Sequence, residues 1–387
     1  MIHSLYAHLW SIGDRGVTGF ADDLEGAGLN AVSYAATYHR VRQLLPADPR
    51  RRIFLSEHSY AYFAPRGRYG RLRPTPSPLL GAGTEPTVPE ALRAELARRG
   101  MRLKAWVIGC HHTDLALAHP DLAIQNALGD ALPHHLCPGQ PEVQVYLAAL
   151  LSDIAGQLDP YALELESFDY PDAFEHGAHH EMCGVPLDRF HSFLLALCCC
   201  PACRGAAGAR GVDADRLADA VRAEILAHLR TPAWRLAERP PDAARDRAAF
   251  AGAHAEFTPY LQARREVLQG LGARLRAAVR GVSGARLTPI GFGAFHGDTD
   301  LRQWADGLVT ASTPEAVAAA RLALGPEADV VCGIYPMAPR PLSPERMAET
   351  LRACAQAGCT GFNYYNHALM QESTARDIRS AIAAWGR

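Results

Sequence analysis

The stretch Leu163-Glu164-Leu165-Glu166-Ser167-Phe168-Asp169 has the composition of a buried strand, yet it carries two carboxylates in its centre. Side chains alternate between the faces of a strand, so Leu163 and Leu165 point one way and Glu164 and Glu166 the other. A parallel sheet normally has two apolar faces, and an unpaired buried carboxylate is costly. A (β/α)8 barrel accommodates the pattern, because its leucines face the helices while its glutamates face the interior near the C-terminal mouth, where active sites lie. A solvated edge strand and an ion pair inside the protein remain open as alternatives.

The rest of the chain alternates short apolar runs with helical segments, which predicts a single (β/α)8 TIM barrel over residues 1–387. A long loop rich in Pro, Arg and Tyr follows the second strand, and residues 187–280 predict a helical insertion after the fourth. The eight predicted strands cover residues 4–12, 31–38, 103–109, 161–168, 286–295, 307–311, 329–335 and 361–365.

Composition limits the class of protein. The chain is 48% hydrophobic and 21% charged with a formal net charge of -2, so it can bury a large core, and nothing favours nucleic acid or an anionic membrane as a partner. No segment approaches the roughly 20 apolar residues of a membrane span. The N-terminus lacks the pattern of a secretory signal, so we expect a cytoplasmic protein. A homo-oligomer is compatible with the sequence, which gives little information on this point.

Polar and aromatic residues follow several predicted strands at their C-terminal ends, which a barrel brings to one mouth. Such a mixture suits a polyhydroxylated ligand, and two carboxylates can cleave a glycosidic bond. Glu166 is the predicted catalytic carboxylate. Asp298 or Asp300 is its predicted partner, although both aspartates also fit turn or helix-capping roles. The predicted substrate-binding residues are Glu164, Tyr38, His39, His111, His112, Asp169, His296, Asn363 and Tyr365.

Ten cysteines are many for a cytoplasmic chain, and their close spacing indicates a metal or reactive thiols rather than disulfides. Cys198, Cys200 and Cys203 form a Cys-x-Cys-x-x-Cys element, whose thiolates can surround one tetrahedral zinc ion of structural role. Cys183 is the predicted fourth ligand, with His191 or His180 as substitutes. Three cysteines at a helix end without metal are the alternative. Cys137 is assigned to the core or a loop, and no organic cofactor is indicated.

Four motifs stand in the central third of the chain, over about residues 100–205: His119-Pro120-Asp121, Asn126-Ala127-Leu128-Gly129-Asp130, Cys137-Pro138-Gly139-Gln140-Pro141-Glu142-Val143 with Tyr146, and Leu163-Glu164-Leu165-Glu166-Ser167. In these motifs the chain resembles bacterial glycoside hydrolase-like barrels. The Cys-x-Cys-x-x-Cys element is similar to the structural zinc cluster of family 42 β-galactosidases. The resemblance implies a barrel and a carbohydrate ligand. Two features depart from those galactosidases: Leu165 stands where they have Asn before the glutamate, and no glutamate follows the seventh strand.

Hydrolysis of a glycosidic bond in a small glycoside or oligosaccharide is therefore the leading functional hypothesis. One rival is a metal-dependent isomerase, lyase or hydrolase with Glu166, His179, His180 and His296 as ligands, because histidine and carboxylate clusters bind zinc. The other rival is a barrel that binds sugar without turnover, which the missing acid after the seventh strand motivates.

Overall fold

The computed structural model describes residues 1–81, 86–174, 184–238, 242–291, 300–339 and 341–385. The strands in these ranges are β1 (Ile2–Ala7), β2 (Ala31–Ala35), β3 (Thr37–Tyr38), β4 (Val41–Leu44), β5 (Ile53–Ser56), β6 (Tyr60–Ala61), β7 (Arg102–Ile108), β8 (Ala123–Gln125), β9 (Ala131–Leu136), β10 (Ala162–Glu166), β11 (Arg286–Pro289), β12 (Gly307–Ala311), β13 (Asp329–Ile334) and β14 (Gly361–Tyr364). The α-helices are α1 (Leu9–Arg15), α2 (Val17–Gly26), α3 (Val88–Arg98), α4 (Thr113–Ala118), α5 (Pro141–Leu158), α6 (Arg189–Ala196), α7 (Pro201–Gly208), α8 (Ala214–Arg230), α9 (Ala233–Glu238), α10 (Ala243–Ala253), α11 (Phe257–Arg280), α12 (Pro314–Leu324), α13 (Pro344–Gln356) and α14 (Glu372–Trp385).

Eight of the strands form one parallel sheet in the order β11-β10-β7-β2-β1-β14-β13-β12. The two ends of this sheet meet, because an isolated parallel bridge joins Ile290 to Val309 and the backbone N–H of Asp306 donates to the carbonyl oxygen of Leu287. The sheet therefore closes into a barrel with helices between its strands, and the (β/α)8 fold predicted from the sequence is confirmed.

The alternation predicted for β10 is present. Leu163 and Leu165 are buried in the hydrophobic core. Glu164 and Glu166 point into the barrel, where they bind the side chains of Lys104 and Trp106 from β7. The period of two therefore placed each β10 side chain on the correct face.

The first strand is shorter than the sequence predicts. β1 ends at Ala7, and the next apolar residues, Leu9, Trp10 and Ile12, are buried from a short helix instead. The prediction of a strand over residues 4–12 was wrong beyond Ala7, because a brief apolar run fits either period. The long loop after β2 contains the antiparallel pairs β3–β6 and β4–β5, and a further hairpin, β8–β9, follows β7.

The predicted helical insertion is present between β10 and β11, where α6 to α11 follow one another in the described residues. The long helix α11 packs against α5, as a helix of the barrel's outer ring does, so α6 to α10 are the additional helices. Among the described residues, no single helix has the length and hydropathy of a membrane span. Within the same described ranges, α6 and α7, which are bent by 96° at their break, have that length and hydropathy when taken as a pair.

Candidate active site

A cavity of about 1370 Å³ lies at the C-terminal ends of the barrel strands. This volume exceeds the roughly 300–1,000 Å³ of the usual small-molecule pocket, so the cavity has room for a larger ligand. Residues from β1, β7, β10 and the segments just after β2, β11, β13 and β14 line it, as expected for the mouth of a barrel. The polar and aromatic side chains of the lining include Tyr6, Tyr38, His39, Trp106, His134, His135, Glu166, Asp169, Tyr170, Tyr335 and Tyr365.

Five aromatic rings form a cup around the end of β10. The ring centroid of Trp106 lies 4.8 Å from that of Tyr6, 5.0 Å from that of Tyr38 and 6.1 Å from that of Tyr365. Tyr335 lies 5.3 Å from Tyr365 by the same measure and is 57% exposed, so it stands at the rim. Rings in this arrangement offer apolar faces with hydroxyl groups at their edges, which is a surface that a sugar can use.

Glu166 projects into this aromatic cup. The indole Nε1–H of Trp106 donates a hydrogen bond of 2.6 Å to Oε2 of Glu166. Burial raises the pKa of Glu166 to about 7, and the hydrogen bond from Trp106 opposes that rise because it stabilises the carboxylate. The negative charge in turn contributes to raised pKa values of Tyr335 and Tyr365, in both of which desolvation is the largest cause. A carboxyl group that titrates near neutral pH can serve as a general acid or a general base.

Glu164 lies below the cup, inside the barrel, and does not line the cavity. It is fully buried, and Oε1 accepts hydrogen bonds of 2.6 Å from Lys104 Nζ and 2.7 Å from Asn363 Nδ2. Lys104 Nζ also donates to Asn363 Oδ1 over 2.6 Å, and the hydroxyl of Ser33 donates to Glu164 Oε2. Glu164 and Asn363, both predicted to contact substrate, are thus placed in a buried polar network, which is the internal ion pair that the sequence left open.

The other predicted ligand contacts divide into two groups. Tyr38, His39, Asp169 and Tyr365 line the cavity. His111 is buried behind His39, with 4.3 Å between their ring centroids, and does not line the cavity.

His112 also lies away from the lining. Its Nδ1 accepts a hydrogen bond from the backbone N–H of Leu115, so its side chain caps the N-terminus of α4.

The identity of the second carboxylate stays a prediction. Asp298 and His296 lie outside the described residues. Asp300 does not line the cavity, and its carboxylate accepts a hydrogen bond of 3.1 Å from Gln303 Nε2 and lies 3.6 Å from Arg302. The described carboxylates that line the cavity are Glu166, Asp169 and Asp172.

Some residues in and below the cavity were not predicted from the sequence. Trp106, which lines the cavity, and Lys104, which lies below it, alternate with apolar residues along β7, so the period-two argument used for β10 could have placed both inside the barrel. His134 and His135 reach the cavity from the hairpin β8–β9, for which the turn residues Gly129 and Asp130 are the only local signal.

Replacement of Trp106 by phenylalanine is expected to raise the pKa of Glu166 above its value near 7. The variant deletes the hydrogen bond that stabilises the carboxylate, and such a bond to a charged group corresponds to roughly one pH unit or more. Infrared titration of the carboxyl band, with Glu166→Gln used to assign it, measures the change. Tyr335→Phe is the matched control, because it alters the same cup and keeps the Trp106 bond. An unchanged or lower midpoint in Trp106→Phe would contradict the assignment of this bond.

Four cysteines converge beside the cavity, and their Sγ atoms all lie within 4.8 Å of one another. They are Cys198, Cys200 and Cys203, as the sequence predicted, together with Cys137. Cys137, which the sequence assigned to the core or a loop, is buried in the core, and the residues after β9 also bring it next to the other three cysteines at the start of α7. The predicted fourth ligand, Cys183, and its substitute His180 lie outside the described residues. The other substitute, His191, lies in a separate group with Asp188 and His228.

The spacing of the four thiols fits a tetrahedral zinc ion. Cys137 Sγ lies 3.6, 3.7 and 3.5 Å from the Sγ atoms of Cys198, Cys200 and Cys203 respectively. A tetrahedron with Zn–S bonds of about 2.3 Å has edges of about 3.8 Å. Gln140 Nε2 donates to Cys200 Sγ over 3.6 Å, so a polar group outside the cluster already contacts a sulfur. The donor set therefore suits a closed site of the structural type.

Comparison with known proteins supports the fold. No family model and no curated protein matches the chain. An α-L-fucosidase from Paenibacillus thiaminolyticus superposes with a TM-score of 0.60 at 13% identity, over 99% of this chain and 49% of the fucosidase, so this chain spans about half of that enzyme. The glycoside hydrolase domain of PgaB (BpsB) from Bordetella bronchiseptica has a TM-score of 0.57 at 15% identity, over 98% of both chains. A β-galactosidase from Marinomonas ef1 has a TM-score of 0.58 at 11% identity, over 99% of this chain and 59% of the galactosidase.

Proposed function

We propose that this protein is a glycoside hydrolase that cleaves a glycosidic bond in a small glycoside or oligosaccharide, with Glu166 as the proton donor. The observation that carries the proposal is the position of Glu166, a carboxyl group with a pKa of about 7 inside an aromatic cup at the barrel mouth. The fold that the chain shares with an α-L-fucosidase and a β-galactosidase supports this choice among barrel chemistries.

In this proposal the two oxygens of Glu166 have separate tasks. Trp106 holds Oε2, which leaves Oε1 for the glycosidic oxygen of a bound sugar. A protonated Glu166 would donate its proton to that oxygen as the bond breaks and positive charge develops on the sugar ring. The resulting carboxylate would then be stabilised by the Trp106 hydrogen bond. The second carboxylate, as nucleophile or base, is proposed to be Asp298 or Asp169, the latter of which lines the cavity.

The pH dependence of kcat/KM is expected to show an alkaline limb with a midpoint near 7. Glu166 must be protonated to act as the acid, so activity is present below its pKa of about 7 and falls about tenfold per pH unit above it. The measurement is kcat/KM between pH 5 and 9 on one substrate, with protein stability followed in parallel. Activity that holds steady or rises through pH 8 would show that Glu166 is not the acid.

The decisive assay is turnover of a broad panel of aryl glycosides and oligosaccharides. Cleavage of one class would identify the sugar, and the anomer released first, read by proton NMR, would separate retention from inversion. A panel without cleavage, in protein that is folded and zinc-loaded, would count against the proposal.

Sugar binding without turnover is the second candidate function. Tyr335 and Pro336 follow β13, so no acid stands at the end of the seventh barrel strand. This candidate predicts that calorimetry detects a sugar ligand in the absence of cleavage, and that Glu166→Gln leaves its affinity unchanged. The metal-dependent rival predicts instead that chelation abolishes turnover while the protein remains folded.

We also propose that the cluster of Cys137, Cys198, Cys200 and Cys203 holds one structural zinc ion. Zinc held there would tie the residues after β9 to the start of α7, which are more than 60 residues apart in the chain. Metal analysis of purified protein should find about one zinc per chain, a content that Cys137→Ser reduces.

A further inference from the structure

Arg264 is a buried cation that has no hydrogen-bonded counter-charge in the part of the chain that the structure describes. It lies on α11 and is 2% exposed. None of its three guanidinium nitrogens has a hydrogen-bond partner among the described residues. Arginine is almost never fully buried unless it is paired, because removing an unpaired charge from water is costly. The guanidinium carbon of Arg264 lies 3.9 Å from the ring centroid of Tyr170. A cation–π contact compensates such a charge only in part.

The surroundings of Arg264 lead to the four cysteines. Tyr260, one helical turn earlier, faces the same way, and its hydroxyl donates a hydrogen bond of 2.6 Å to the carbonyl oxygen of Cys198. The hydroxyl of Tyr170 lies 3.5 Å from Cys203 Sγ. The ring of Tyr170 therefore has the guanidinium on its face and the sulfur cluster at its hydroxyl edge.

Gly139 makes this close approach feasible. A Cβ atom at that position would lie 2.8 Å from the hydroxyl oxygen of Tyr170, so that the ring would have to shift, and a tight 3.2 Å from Cys203 Sγ. The segment between β9 and α5 is thus adapted to bring Tyr170 against the cluster.

A zinc ion with four thiolate ligands carries a net charge of −2, and in a buried site that charge needs a cation nearby. We propose that Arg264 is this counter-charge, acting across the ring of Tyr170 on a zinc–thiolate centre formed by Cys137, Cys198, Cys200 and Cys203. Coulomb attraction in a protein interior acts between charges that are separated by an aromatic ring and do not touch. The proposal explains why an unpaired guanidinium is tolerated at this position. It rests on the proposed zinc site and not on glycosidase activity.

The test is the zinc affinity of Arg264→Met, measured by competition with a chromogenic chelator at fixed pH. Loss of the counter-charge is expected to weaken zinc binding about 10- to 100-fold, the range found for outer-sphere partners of metal sites. Arg264→Lys keeps the charge and should recover most of the affinity. Arg274→Met, an exposed position on the same helix, is the matched control and should bind as the wild type does. An Arg264→Met protein that binds zinc as tightly as wild type, or a wild type that binds no zinc, overturns the proposal.

Thermal unfolding with and without zinc separates charge from packing. If Arg264 acts on the metal centre, zinc should raise the Tm of Arg264→Met by less than it raises the Tm of wild type. If Arg264 has only a packing role, the variant should lose the same amount of Tm with and without zinc, and that result would overturn the proposal. The cobalt-substituted protein should keep its thiolate-to-metal absorption, which shows that the four ligands still bind. If Arg264→Met does not fold, Arg264→Gln replaces it. Failure of both neutral variants while Arg264→Lys folds with zinc supports the charge requirement, and failure of all three counts against it.

Discussion

Replacement of Glu166 by glutamine is expected to lower kcat/KM by about 10²- to 10⁴-fold, the range that a positioned general acid contributes. Glutamine keeps the size of the side chain and can still accept the hydrogen bond from Trp106 Nε1. It cannot transfer a proton at neutral pH, so the loss should fall on the chemical step. The measurement is kcat/KM on the best substrate of the panel, with circular dichroism and Tm as checks on folding.

The loss of activity in Glu166→Gln is expected to depend on the leaving group of the substrate. A nitrophenyl glycoside departs with little protonic assistance, so Glu166→Gln should impair it less than it impairs an alkyl glycoside or an oligosaccharide. Equal losses on both classes would indicate that Glu166 is the nucleophile. Glu349→Gln, which makes the same change at an exposed position on α13, is the control and should retain full activity. A folded Glu166→Gln protein with wild-type activity would remove Glu166 from the mechanism.

Replacement of Lys104 by methionine is expected to destabilise the protein by about 3–5 kcal/mol, the usual cost of breaking a buried ion pair from one side. Lys104 is the only lysine in the sequence, and its ammonium lies 2.6 Å from Oε1 of the fully buried Glu164. Methionine would leave that carboxylate without a cation inside the barrel. The measurement is denaturant unfolding at pH 7 with the zinc content held constant.

The double variant Lys104→Met with Glu164→Gln separates the ion pair from the packing. Because it removes both charges, it should recover a large part of the lost stability, although Asn363 and Ser33 would have to rearrange. Arginine is also expected to be a poor substitute at position 104. The compact ammonium of Lys104 fits between Glu164 Oε1 and Asn363 Oδ1, whereas a planar guanidinium is too large for that space. A Lys104→Met protein within 1 kcal/mol of wild type would contradict the predicted contribution of the ion pair to stability.

Much of the barrel could be predicted from the sequence because its signals are local. The strand β12 was predicted with the bounds the structure has, and β13 and β14 to within one residue, since short apolar runs between capped helices leave little ambiguity. The prediction failed at α1, and the small strands of the loop after β2 were not foreseen. In those segments long-range packing decided between helix, strand and coil.

The candidate site was predicted in part for the same reason. Five residues predicted for the site do line the cavity, because each lies at or just after the end of a recognisable strand: Glu166, Tyr38, His39, Asp169 and Tyr365. Residues such as Trp106 and His135 were missed, because their arrival at the mouth depends on which strands are neighbours and on where a hairpin folds back.

The sequence by itself determined that β10 places two glutamates on one face and two leucines on the other, because alternation along a strand is a property of the backbone. Only the tertiary structure decided what each glutamate contacts. Register across the barrel puts Lys104, 60 residues away in the chain, beside Glu164, so that carboxylate is paired in the interior. Glu166, two residues further on, instead accepts a hydrogen bond from Trp106 and lines the cavity. The depth of a side chain in a closed barrel depends on partners that are distant in sequence, and no local pattern encodes them.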